Sequence, residues 1–303
     1  MTITALITTR NRSGMLREAI DSVLGQEPSD DATLAELIVV DDDSSDDTPA
    51  VVASYPDVRY IRTKQGTAAG SRNVGIAAAT GEWMAFLDDD DVWLPAKLRA
   101  CGAVVRARPD VALVCTAAVL CDEGLNRTGG SWSAPDPADY GGSAFDAYLE
   151  RVMTPSTVMV RRDVFDRIGL FDPGEPRIED RDMWLRIARH GFTCAAVQEP
   201  LALYRVRDNP NGQMLYDDYR GTMRVVNRHL TEAGDLRPGW LRRQRVLWGL
   251  RGWYCHQLLS AAREHARRRE ADQARRFSRL AFSASPVHYL KGTLLPGGSG
   301  GGS

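Results

Sequence analysis

The chain has 303 residues, 43% hydrophobic and 26% charged, which suits one large globular domain or two small ones with a real core. No run reaches the ~18 apolar residues of a membrane span, and no stretch reads as a signal peptide. The five cysteines form no CxxC pair and sit in apolar contexts, so the expectation is buried thiols in a reducing, cytoplasmic compartment rather than a disulfide or zinc framework. The net charge of −2 conceals an asymmetry: residues 236–303 carry 13 Lys/Arg against 3 Asp/Glu, so an acidic front precedes a basic tail.

In chain order, Ile3 to Thr8 reads as a strand ending in the polar loop Thr8-Thr9-Arg10-Asn11-Arg12. A helix follows, with Ser13 as N-cap, Leu16, Ala19, Ile20, Val23 and Leu24 at helical spacing, and Gly25 at its close. After an acidic loop at 28–31 comes a second strand, Leu37 to Val40, running into Asp41-Asp42-Asp43-Ser44, then a helix and a third strand around Val58 to Ile61. This alternation predicts βαβ units and a mostly parallel sheet. Gly66 to Asn73 opens a small-residue helix through Ala79. Glycines before a helix N-terminus suit an anion, and Arg72 adds a phosphate partner, although neither Walker A nor GxGxxG spacing is present.

The stretch Trp83 to Pro95 draws the most attention. The apolar run Met84 to Leu87 ends in four consecutive aspartates, Asp88 to Asp91. A buried strand of a parallel sheet delivers its last residues to the crevice where ligands bind. Clustered carboxylates there repel one another, and a hard divalent cation such as Mg²⁺ or Mn²⁺ relieves them; the alternative is a solvated acidic loop. Pro95 fits the first turn of a helix. Val111 to Leu120 reads as a strand, 122–140 as a long surface loop, 153–160 as loop and strand, and Arg161 to Ile168 as a short helix ended by Gly169. Met183, Trp184 and Ile187 mark an amphipathic helix with Glu179 and Asp180 at its N-terminus. There they serve as plain caps or hold a carboxylate ready to accept a proton.

Taken in order, these stretches resemble the family 2 glycosyltransferases of the GT-A fold. The matches are Thr8 to Arg12, Val39-Val40-Asp41-Asp42 with Ser44, Asp46 and Thr48, Gly70-Ser71-Arg72-Asn73 with Gly75, Gly81-Glu82, Leu87 to Trp93, Gly169 to Asp172, Glu179-Asp180, and Trp184-Leu185-Arg186. The resemblance implies an α/β GT-A fold, a Rossmann-like, mixed but mostly parallel sheet flanked by helices. It implies a catalytic domain over 1–214 (nucleotide-binding half 1–121, acceptor half 122–214), followed by a basic helical region over 215–291. The tail 292–303 resembles a linker or tag scar. The implied activity is inverting transfer of a sugar from a nucleotide-sugar donor, UDP first, to a saccharide, lipid-linked or small-molecule acceptor, non-processively. By similarity the Asp-any-Asp motif falls on Asp88-Asp89-Asp90: Asp90 ligates Mn²⁺ or Mg²⁺, and Asp88 or Asp89 faces the ribose. Asp42, or Asp41, reads the base; Thr8 lines its pocket; Arg72 approaches diphosphate or base; Asp180 is the catalytic base.

Three features depart from the family pattern. Arg10 stands where an aromatic is usual beside the base, and Arg207 where many relatives have His. The Gln-x-x-Arg-Trp motif and hydrophobic spans of processive relatives are absent. Residues 215–285 read as helical, with Leu241, Trp248, Arg251 and Leu258 among many arginines. The plainer expectation is a packed appendage with a solvated basic face; the sharper one is peripheral docking at the inner face of an anionic membrane. No nucleic-acid motif is present. A nucleotidyltransferase on a similar fold and a non-catalytic binding module are the alternatives.

Overall fold

The computed structural model describes residues 1–206, 212–236 and 238–294. The chain divides into two compact units, one spanning Met1–Val206 and the other beginning at Arg207, whereas the boundary expected from sequence lies at 214.

The first unit is built on a nine-stranded sheet of order β3-β2-β1-β4-β8-β6-β9-β5, with β7 paired to β6. Its first half is doubly wound: β1 (Thr2–Thr9), α1 (Ser13–Leu24), β2 (Thr33–Asp42), α2 (Thr48–Ala53), β3 (Val58–Thr63), α3 (Ala68–Ala78) and β4 (Trp83–Asp88). Here β1 pairs in parallel with β2 and β4, and β2 with β3. The register sets Thr8 beside both Val40 and Asp88, so the ends of three strands meet at one edge. Ile3, Ala5, Ile7, Leu37, Val39, Ala85 and Leu87 are buried in one core with α1.

The second half is mixed. It comprises β5 (Val92–Trp93), α4 (Lys97–Ala107), β6 (Val111–Cys121), β7 (Arg127–Trp132), α5 (Ala144–Glu150), β8 (Val158–Arg161), α6 (Asp163–Ile168), α7 (Glu179–Arg189) and β9 (Thr193–Arg205). β8 runs antiparallel to β4 and β6, while β9 lies parallel to β6 and antiparallel to β5. The sheet is therefore evenly mixed, four parallel and four antiparallel pairs, rather than mostly parallel.

Several local expectations are corrected. Ser13 is the first helical residue, not the cap. Arg12 holds that position without a capping bond, and Asp46 of the β2–α2 loop accepts from Ser13 N–H at 2.9 Å. Pro95 precedes α4, whose N-cap is Ala96. Residues 122–140 are not one loop: β7 folds back on β6 as a hairpin, and Pro137–Tyr140 forms a 3-10 turn. Glu199 and Pro200 interrupt the strand pattern of β9, and the sheet absorbs them in register shifts opposite Thr116–Ala118. Gly169, at φ +84°, closes α6 as expected.

The second unit contains α8 (Gly212–Glu232), α9 (Trp240–Arg267), α10 (Ala271–Ala284) and α11 (Pro286–Leu294). Its own core includes Cys255, Leu258, Leu259, Phe277 and Ala281. Among the described residues, no helix is long and apolar enough to cross a membrane.

Candidate active site

Asp88 ends β4, and the three aspartates after it turn back toward β5. Each is held differently. Asp88 takes Arg72 Nη2 at 2.7 Å. Arg12 Nη1 reaches Asp89 at 2.6 Å and Asp90 at 2.9 Å. Asp91 is buried; it accepts from the Ser156 hydroxyl at 2.5 Å and from Arg205 N–H at 3.0 Å. Ser156 also accepts from Asp88 N–H at 3.1 Å, so one hydroxyl fixes both ends of the acidic turn. Burial pushes the Asp89 carboxyl up to about 6, with Asp90 adding to the rise and Arg12 opposing it. Burial and the charges of Asp88 and Asp90 hold Asp91 well above the usual carboxylate range. Burial raises Asp88 too, and Arg72 restrains it.

Arg72 lies on α3 and is 5% exposed. Its other nitrogen, Nη1, meets Glu179 of α7 at 2.6 Å, and its guanidinium lies 5.6 Å from the centroid of Phe171. Asn73, one residue on, donates to Phe171 O at 2.8 Å and accepts from Phe171 N at 3.0 Å, which clamps the segment leading to α7. Phe171 in turn packs edge-on against Phe86 and Trp184. The sheet edge and the N-terminus of α7 are thus joined by one buried guanidinium between two carboxylates. Glu179 Oε2 is buried without a hydrogen-bond partner.

Asp180 follows Glu179 and is partly exposed. Its Oδ1 accepts from Arg181 N–H at 2.6 Å. Desolvation, and then the neighbouring Glu179 charge, push its carboxyl up to about 7 against the pull of Arg72. A partly open carboxylate poised near neutral pH can accept a proton.

At the β2 end the two adjacent aspartates separate by role. Asp41 is fully buried and accepts from Tyr60 OH at 2.5 Å and Ser44 N at 2.9 Å, a structural anchor. Asp42 Oδ1 accepts from Gln65 N at 2.6 Å and Gly66 N at 3.0 Å, and Arg10 Nη1 lies 3.9 Å from Oδ2. Arg10 is exposed, and Thr8 is partly so. The glycine-rich stretch has structural duties: the Thr67 side chain caps α3 by accepting from Gly70 N, and a Cβ on Gly70 would come within 2.7 Å of Gln65 Cβ. Arg207 lies outside the described residues.

Among the described residues, no three His, Cys, Asp or Glu side chains form a group arranged to hold a metal. The donor chemistry nevertheless fits a hard cation. Asp88, Asp89 and Asp90 offer only oxygen, and the charge of Asp90 raises both of its neighbours, a repulsion of the kind a dication offsets. The sequence marks no role for Arg12, Asp91 or Ser156. Arg12 was visible only as a cation in the loop after β1; the pairing of Ser156 with Asp91 links positions 65 residues apart and has no local signal.

Residues 4–169 match the model of the family described as glycosyl transferase family 2. The chain belongs to glycosyl transferase family 2. It is 30% identical over 226 residues to an uncharacterized glycosyltransferase of Nostoc, covering 70% of this chain and 66% of that protein. It is 42% identical over 100 residues to the succinoglycan biosynthesis protein ExoO of Rhizobium meliloti, covering 32% of this chain and 28% of the relative. A putative teichuronic acid biosynthesis glycosyltransferase, TuaG of Bacillus subtilis, is 26% identical over 68% of this chain and 80% of its own. The chain therefore spans about two thirds of the Nostoc protein and about a quarter of ExoO.

Among solved structures, S. aureus TarS 1–349, also seen in complex with UDP-GlcNAc, superposes with TM-score 0.61 at 16% identity, over 91% of this chain and 90% of that one. The mannosyltransferase PcManGT of Pyrobaculum calidifontis, in complex with GDP-Man and Mn²⁺, gives 0.57 at 19% identity over 96% and 79%. At these identities the likeness shows the fold. The GT-A architecture with C-terminal helices expected from the sequence is the one observed.

Proposed function

We propose that this chain transfers a sugar from a nucleotide-sugar donor, UDP-linked in the first instance, to an acceptor hydroxyl in a single displacement that inverts the anomeric carbon. The observation that carries the reading is the buried chain Asp88–Arg72–Glu179, which sets the acidic strand end beside a base candidate raised to about 7. Asp180 takes the acceptor's proton as its oxygen attacks. Asp42 with Arg10, and Thr8 beside them, receive the base and ribose, together with whichever of Asp88 and Asp89 is released by the donor. Arg72 is embedded between carboxylates, so its part is to hold the two halves in register and to place positive charge near the leaving diphosphate.

Asp90, with its neighbours, would hold Mn²⁺ or Mg²⁺, which when bound supplies charge stabilisation to the departing nucleoside diphosphate. The acceptor is a saccharide, lipid-linked or small-molecule hydroxyl compound. Acceptor specificity belongs to residues 122–140 and 153–157.

A thermal-shift screen of UDP, GDP, dTDP and CMP, each with and without Mn²⁺, tests the donor reading. A metal-dependent rise in Tm with one nucleoside diphosphate is expected; no shift with any of them would refute it. Asp180→Asn should retain that shift while turnover falls by at least about 100-fold. Undiminished turnover in this variant would remove Asp180 as the base.

A further inference from the structure

The second unit carries an exposed surface that contains none of the residues assigned to sugar transfer. Eight of the twelve large hydrophobic side chains exposed among the described residues lie in it, so the uncovered apolar area is concentrated there. α9 buries Val246, Leu247, Leu250 and Tyr254 on one side. The opposite side presents Leu241, 76% exposed, and Trp248, 45% exposed, with Arg245 and Arg251 beside them around an open depression of about 410 Å³. α11 extends this surface. The Trp248 ring lies 4.3 Å from that of His288, and Gly252 leaves room for the imidazole, which a Cβ there would approach to 2.7 Å. Val287 and Leu290 of α11 are about half exposed. From Leu236 to Arg263 the chain contains no Asp or Glu and six arginines.

We propose that this face, α9 from Leu241 to Arg251 with Val287 and Leu290 of α11, docks on an anionic lipid bilayer. Aliphatic and tryptophan side chains enter the boundary between headgroups and acyl chains, while guanidinium groups beside them meet lipid phosphates and carry their stems along the apolar surface. Charge decides between this occupant and a second copy of the chain. A two-fold contact sets the same patch against itself, arginine facing arginine with no carboxylate in the segment to compensate, whereas an anionic surface complements it. The inference is independent of the sugar-transfer reading, because it uses none of the residues assigned to that reaction.

Flotation of the full chain with vesicles of phosphatidylcholine alone, and of phosphatidylcholine mixed with phosphatidylglycerol, tests it. Binding is expected only to the mixed vesicles and should weaken as salt is raised. Arg245→Gln/Arg251→Gln should weaken partitioning by roughly 25-fold, about fivefold per arginine. Leu241→Asp, at a position too exposed to threaten folding, should abolish it, with thermal melts confirming that both variants fold. Failure to float with the anionic vesicles, or equal flotation of wild type and variants, would overturn the proposal. So would a lipid-independent dimer that Leu241→Asp dissociates, which would assign the face to a second copy.

Discussion

Asp180 has a neighbour on each side of its proton equilibrium: Glu179 and burial raise it, Arg72 lowers it. The base must be ionised to work, so kcat/KM should rise with pH along an acid limb centred near 7. Glu179→Gln removes the neighbouring negative charge and leaves Arg72 more positive toward Asp180. Both changes favour the carboxylate, so the limb should move to lower pH; an unmoved limb would show that another group controls it. A second buried charge is Lys97, fully buried with Thr116 Oγ1 at 3.0 Å and the Trp93 ring at 5.4 Å. Burial lowers its amine to about 8. Folding therefore favours the neutral amine: stability should rise between about pH 8 and the usual lysine value, and the full penalty applies below pH 8. Lys97→Met should keep or raise Tm at pH 7, since an apolar replacement of a buried charge is often neutral or stabilising. It should also remove that rise, and melts of both proteins at neutral and alkaline pH isolate the effect as a difference.

At the scale of elements, what was legible follows from whether the signal was local. β1, β2, β3 and β4 announce themselves as apolar runs broken by polar or glycine residues, and α7 by its periodic Met183, Trp184 and Ile187. The carboxylates at the strand ends and at the α7 N-terminus could therefore be found from sequence. The pairing of those sites could not. Arg72 reaches Glu179 across 107 positions, and no spacing encodes that contact. β9 was hidden by Pro200, and α5 by the polar stretch before it, although Phe145, Tyr148 and Leu149 stand at helical spacing and Ser143 caps it by accepting from Asp146 N. Gly81, in contrast, had a family match and a structural reason that only the fold supplies. It abuts β1 so closely that a Cβ would stand 2.5 Å from Thr4 N, a backbone atom that cannot swing aside. Gly81→Ala should cost about 1–3 kcal/mol, read as a lower denaturation midpoint. Gly81 precedes β4 and Asp88 ends it, so kcat/KM per folded molecule should be retained.

For the molecule as a whole, the composition supported a core of buried thiols, and all five cysteines are free and buried. Burial raises each of them above the usual thiol value, Cys115 and Cys194 most. A thiol reagent that reads thiolate should find almost nothing in the native protein near pH 8 and five groups after denaturation. Rapid labelling of one cysteine without denaturant would show that its surroundings open locally. The charge asymmetry seen in the sequence is equally physical: the crowded carboxylates belong to the first unit, and the arginine-rich helices to the second.

That crowding has a consequence for the life of the protein in a cell. Burial, and with it the charges of neighbouring carboxylates, holds Asp88, Asp89 and Asp91 above their ordinary proton affinities, and Arg72 and Arg12 offset this only in part. Anything that brings positive charge there, and binds the folded chain alone, draws the population away from unfolded forms that proteases recognise. The amount of this protein that persists would then follow the supply of its own ligands. A starved cell would clear it, and a well-supplied one would keep it, with no change in synthesis.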